Sequence, residues 1–235
     1  MNSWVNGWEP RRPDLIAIAG TVGVGKQRFA RELADDLGWT LSVPEESNPY
    51  LASFRRNPAR WAFHAQLHFL LQRLEALSST SSVGGPPLVT VHSIYEDAEI
   101  FARNLHEMGL ITARDYNTYL GVYRRLCAVV QPPTLLIYLR PTPAMIGDMI
   151  IRVGSQRRPP FEPSQLARLC ELYEEWTRCF KHCPVLGINV DKDGPVGGAA
   201  AMYAAECHAL GHVIGADPLV AESTLSMVIH ASLAS

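Results

Sequence analysis

The sequence predicts an α/β fold in which a five-stranded parallel sheet carries helices on both faces. Three observations predict it. Short apolar runs recur at residues 15–19, 39–43, 88–92, 134–139 and 184–190. Stretches with helical periodicity separate them, the alternation that joins parallel strands by crossover helices. A glycine-rich turn ending in lysine stands between the first run and the first helix. The 235 residues suffice for one well-buried domain.

Each element follows in order. "LIAIA" at 15–19 is continuously apolar, as a strand buried on both faces must be. Residues 26–37 set Phe29, Ala30, Leu33 and Leu37 on one helical face, and Gly38 supplies the stop. "WTLSV" at 39–43 is the second strand, and "WAFHAQLHFLLQRLEAL" lies within a long helix over 58–77. "SSTSSVGGPP" at 78–87 reads as a surface loop. After the third strand, Thr112-x-x-Asp115 resembles a capping box and opens a helix expected through residue 130. A fourth strand, a helix over 163–180 and a fifth strand complete the domain. The domain is drawn at 1–190, with 191–235 as a carboxy-terminal extension that packs on the domain or on a partner.

Composition excludes several classes. The formal net charge is −2 with no basic run, which argues against nucleic acid as a partner. No apolar stretch reaches the ~18 residues that a membrane span needs. The opening "MNSWVNGWEPRRPD" has neither the apolar core of a secretory signal nor the character of a transit peptide, so an intracellular protein is expected. Cys127, Cys170, Cys179, Cys183 and Cys207 have no framework spacing and read as free thiols. The Cys179–Cys183 and Cys207–His208 pairs lack a zinc knuckle, so no metal site is assigned to them.

The turn Gly20-Thr-Val-Gly23-Val-Gly25-Lys26 matches the phosphate-loop pattern GxxxxGK in its required strand-to-helix setting. Glycines let backbone N–H groups curl around phosphate oxygens, the helix terminus adds positive charge, and Lys26 reaches the outer phosphates. The pattern predicts binding of ATP or another nucleotide. Gln27 departs from it, standing where a serine or threonine hydroxyl holds magnesium, and so puts Mg²⁺ in doubt.

From this loop to about residue 190, the blocks "NPYLASFRRNPARWAFHAQLHFLLQR", "HSIYEDAEIFA", "TARDYNTYLGVYRRL" and "PPTLLIYLRPT" resemble the deoxynucleoside kinase family, above all its deoxyadenosine and deoxyguanosine kinases. The resemblance implies a P-loop NTPase-type five-stranded sheet and a nucleoside or nucleotide as ligand. It also implies that Gln66, Arg73 and Asp97 contact the nucleobase, with Trp61 and Phe63 beside them as aromatic walls. Gln66 and Arg73 stand two helical turns apart, hence on one face.

The catalytic positions differ. The family's second strand ends in the glutamate that acts as general base, and here that position is Val43. The family's acidic residue, arginine and serine after the third strand are matched by Val91, His92 and Ser93. A sugar-contacting tyrosine is matched by Arg55, and the arginine-rich lid retains Arg152, Arg157 and Arg158 in altered spacing, with Glu162 matching a lid glutamate. Glu45 and Glu46 are the fallback bases, although Glu45 lies about 6.5 Å beyond Val43 along an extended chain.

No catalytic residue is therefore intact, and the sequence leans toward a pseudokinase. By analogy with family members recruited to respiratory chain complex I in the mitochondrion, it would be an accessory subunit of a larger assembly, or a homodimer. The alternative is an active nucleoside 5′-kinase with a substituted base.

Overall fold

The computed structural model describes residues 15–43, 47–80, 87–154 and 163–195. Strand β1 (Leu15–Ala19) leads through the glycine turn into α1 (Lys26–Leu37). Gly38, at φ 66°, ends that helix by donating its N–H to the carbonyls of Ala34 and Asp35. Next come β2 (Thr40–Ser42), α2 (Leu51–Arg56), the long α3 (Pro58–Thr80) and β3 (Leu88–Val91). Beyond β3 the chain forms α4 (Ile94–Glu96), a π-helical stretch (Asp97–Ala102) and α5 (Arg103–Glu107) without a break. Then follow α6 (Ala113–Cys127), β4 (Leu135–Pro141), α7 (Pro143–Gly154), α8 (Pro163–Cys179), β5 (Val185–Asp191) and β6 (Gly194–Pro195).

The sheet order is β2-β3-β1-β4-β5-β6. The first five strands are parallel, as expected, and β6 adds a short antiparallel edge that the sequence reading did not contain. β1 sits centrally, and its alternation divides the core. Ile16 and Ile18 face α1 and α7 through Phe29, Leu33, Met145 and Met149. Ala17 and Ala19 face the opposite layer, where α3, α6 and α8 bring Leu70, Tyr119 and Tyr173. Alanines suit that side because bulky rings occupy it: Tyr138 and Tyr173 stack with centroids 5.8 Å apart.

Helices α2, α4, α5 and α7 are additions to the sequence reading. The helix opened by Thr112 ends at Cys127, three residues short of the expected 130. Its hydroxyl does accept the Asp115 N–H, as the capping motif requires. Cys127, Cys170, Cys179 and Cys183 are free thiols. Among the described residues no helix is long and apolar enough to cross a membrane. Cys207 and the remainder of the expected extension, 196–235, lie outside the described residues.

Candidate functional site

The site gathers at the carboxyl edge of β1 and β3, where an open parallel sheet turns its strand ends toward a crevice. Gly20 begins the loop in a conformation that only glycine accepts readily. Its φ is +149°, and a Cβ there would lie 2.9 Å from the Leu139 carbonyl of β4. Gly23 and Gly25 also have positive φ, and Val24, buried between them, pins the loop to the core. Lys26 is buried at the start of α1, its Nζ donating to the carbonyls of Gly20 at 2.5 Å and Thr21 at 2.9 Å. The ammonium thus lies over the hollow of the loop. Gln27, the next residue, is exposed.

A second wall comes from α3. Gln66 is buried, and its Oε1 has no hydrogen-bond partner. Arg73 Nε lies 3.3 Å from Asp97 Oδ2 at the start of the π-helical stretch, yet neither atom makes a well-aligned hydrogen bond. Burial pushes the Asp97 carboxyl up to about 6, with Arg73 opposing and Glu96 adding to the rise. The structure therefore brings Arg73 and Asp97 together, with Gln66 on the same face of α3. Trp61 sits about 140° around the helix from Gln66. It packs instead against Tyr50 at 5.8 Å and His64 at 5.2 Å. Phe63 packs against the α6–α8 layer of the core.

The rim where the sequence places the chemistry is apolar at one position. Val43 follows β2 with 36% of its surface exposed. The Ser42–Thr90 register sets it alongside Val91. Arg55 is exposed on α2, and Arg152 belongs to the last turn of α7. Glu45, Glu46, Arg157, Arg158 and Glu162 lie outside the described residues. Among the described residues the donors do not fit a magnesium ion held by the protein. The first turn of α1 offers Gln27, β3 ends in Val91, and the described residues contain no cluster of three or more His, Cys, Asp or Glu.

Two residues outside the sequence-derived site complete it. Glu96 is fully buried and accepts from the N–H of Gly20 at 3.4 Å, the N–H of Ser93 at 2.9 Å and the Tyr173 hydroxyl at 2.8 Å. It joins the loop, β3 and α8. Burial opposes its ionisation, but His92, Lys26 and Tyr173 together hold it below the usual carboxylate range. The Ser93-x-x-Glu96 capping box was its signal in the sequence, and both halves of that box form. Tyr119 of α6 is the other, its hydroxyl buried and unpartnered. Burial, then Asp97, pushes this phenol well up.

His92 departs most from the expected site. It is the non-glycine residue with positive φ, at 66°, among those described. Its N–H still reaches the Ile18 carbonyl at 3.2 Å, and its Nδ1 faces Glu96 Oε1 at 3.7 Å. Burial, then the Lys26 ammonium, push its ring down to about 4 against the pull of Glu96. The imidazole is neutral at pH 7.

A phosphate loop beside a cluster of buried polar groups defines an α/β phosphate-loop protein. A family model described as deoxynucleoside kinase matches residues 16–195. The deoxyadenosine/deoxycytidine kinase of Bacillus subtilis (strain 168) is 35% identical over 182 residues, covering 75% of this chain and 82% of that protein. The deoxyadenosine kinase of Dictyostelium discoideum is 32% identical over 182 residues, covering 74% and 71%. Among solved structures, a deoxyadenosine kinase from M. mycoides with bound dATP matches with a TM-score of 0.62 at 24% identity, over 76% of this chain and 93% of that one. The chain belongs to the deoxynucleoside kinase family.

Proposed function

We propose that the protein binds a 2′-deoxynucleoside along α3 and ATP on the phosphate loop, and transfers the γ-phosphoryl group to the nucleoside 5′-hydroxyl. The observation that carries this reading is the polar set Gln66 Oε1, Arg73 Nε and Asp97 Oδ2, each buried without an aligned partner. A buried polar group left unsatisfied costs about 1–3 kcal/mol. Three in one neighbourhood call for a ligand with fixed donors and acceptors, and a nucleobase edge supplies them. Lys26 and the loop supply the other half of the reaction. The family's named kinases in B. subtilis and D. discoideum act on deoxyadenosine among other nucleosides, which supports a purine deoxynucleoside as the first substrate to test.

A second reading is favoured by Val43, an exposed apolar side chain where the family's base belongs. On that reading the protein binds nucleotide without efficient transfer. It would then act as a structural or regulatory accessory subunit, for which a mitochondrial complex I role is the analogy. Loss of a general base costs ~10²–10⁴ in rate. Phosphate transfer from labelled ATP to a panel of deoxynucleosides, with magnesium present and Lys26→Ala as control, separates the two. Transfer that the control abolishes supports the kinase. A folded protein that binds both ligands and transfers nothing supports the second reading, and a partner that it assembles with is then the next thing to find.

A further inference from the structure

We propose that His92, oriented by Glu96, takes the proton of the nucleoside 5′-hydroxyl during transfer, in the role left vacant at Val43. The inference rests on the kinase reading above and names its base.

Placement is the first argument. His92 ends β3 beside the phosphate loop, and the charges that act on its ring are Lys26 from α1, Glu96 from α4 and Arg73 from α3. Lys26 marks the phosphate end of the site and Arg73 the nucleobase end. The sugar of a nucleoside spanning the two passes the imidazole, with its 5′-hydroxyl on the phosphate side.

Backbone conformation is the second. A left-handed φ of 66° is uncommon for a side chain larger than glycine and is a feature that concentrates at functional sites. The capping box of Ser93 and Glu96, immediately following, holds the chain in that bend.

The ring nitrogens supply the third. Nδ1 is the buried one, without a hydrogen-bond partner and 3.7 Å from Glu96 Oε1, a charge contact that closes to a hydrogen bond on a small ring movement. The side chain is 24% exposed, and Nε2 makes no hydrogen bond to the described residues. A proton on Nδ1, directed at the carboxylate, leaves the lone pair on Nε2 free to accept. Glu96 is itself held by Gly20, Ser93 and Tyr173, so the dyad is anchored to the loop that carries the phosphates.

The step balances. The 5′-oxygen bonds to the γ-phosphorus as the bond from that phosphorus to the β–γ bridging oxygen breaks, and the electron pair leaves with the nucleoside diphosphate. The hydroxyl proton passes to Nε2, and the resulting imidazolium is stabilised by Glu96 until it gives the proton to solvent. In a loose transition state the base mainly orients the nucleophile, so a weakly basic acceptor suffices.

The test uses the full chain with His92→Phe, which keeps a ring, and His92→Gln, which restores an acceptor near the Nε2 position. Phosphate transfer is measured beside the affinities for 2′-deoxyadenosine and 2′,5′-dideoxyadenosine, which lacks the 5′-hydroxyl. His92→Phe is expected to lower kcat by ~10²-fold or more, with KM within about threefold of wild type. It should also erase the wild-type preference for the nucleoside bearing the hydroxyl, and His92→Gln should recover part of both. Unchanged kcat in His92→Phe overturns the proposal, as does a loss confined to Glu45→Gln or Glu46→Gln. A wild type that transfers nothing sinks the kinase reading. The affinity ratio then still decides the contact: a 5′-hydroxyl preference lost in His92→Phe retains His92 at that hydroxyl, and equal wild-type affinities remove it.

Discussion

His92 and Asp97 titrate in opposite senses, and their neighbours explain why. Burial and Lys26 depress the imidazole to about 4, so below the unfolded value near 6.5 the unfolded chain binds a proton that the folded chain refuses. Stability from His92 is complete above about pH 6.5 and is lost as pH falls toward 4. Asp97, raised by burial to about 6, does the reverse, and its contribution declines as pH rises from about 4 to 6. His92→Phe removes the first effect, together with the part of the hold on Glu96 that the imidazole supplies, and leaves Asp97 in place. Apart from a constant offset, the variant should gain on wild type between pH 7 and 4.5 by up to about 2–3 kcal/mol. Urea midpoints at the two pH values read this directly, and a difference independent of pH would refute the burial assigned to the ring. Gln66 and Arg73 could be picked out in the sequence because the family resemblance points to them, and helical spacing then puts both on one face. Glu96 could not, since its role depends on Gly20 and Tyr173, residues distant in sequence that meet only in the folded sheet.

The strands were legible because parallel strands buried on both faces read as unbroken apolar runs, and β1, β3 and β4 are of that kind. The segment from α4 through α5 was harder. Its π-helical stretch, Asp97–Ala102, breaks the regular period on which helix recognition relies. That stretch is tied down by Glu99, which accepts from the Tyr123 hydroxyl of α6 and, at 2.7 Å, from the Trp176 indole N–H of α8. One carboxylate thereby joins three elements behind the nucleobase wall. Glu99→Ala should cost about 2 kcal/mol, because two part-buried donors lose a charged acceptor. A thermal melt should fall by roughly 4–8 °C for a domain of this size. An unchanged melting temperature would mean that α6 and α8 dock without this bridge. Asn48 plays a similar part on the other side, donating from Nδ2 to the Ala65 carbonyl and so fixing the turn before α2 onto α3.

At the scale of the whole molecule, ligand binding and folding are one equilibrium. Lys26 donates to the Gly20 and Thr21 carbonyls, which ties its ammonium to the loop that would hold a nucleotide's phosphates. ATP at a hundred times its dissociation constant should stabilise the fold by ~2.7 kcal/mol. Differential scanning fluorimetry should therefore show an upward shift with wild type and little or none with Lys26→Ala. A shift of equal size in both would place the nucleotide away from this loop. The parallel sheet was legible from element alternation, but its strand order was not, and neither was β6, because two residues carry no periodicity. That small strand has a consequence for how copies behave at high concentration. Among the described residues the sheet ends at one margin in the three residues of β2, and at the other in β6, where Pro195 has no N–H to lend. Neither margin presents the long ladder of unpaired backbone groups that recruits a strand from a neighbouring chain. Along its described strands the sheet is thus a poor seed for fibrils, and these two margins should not string copies together edge to edge.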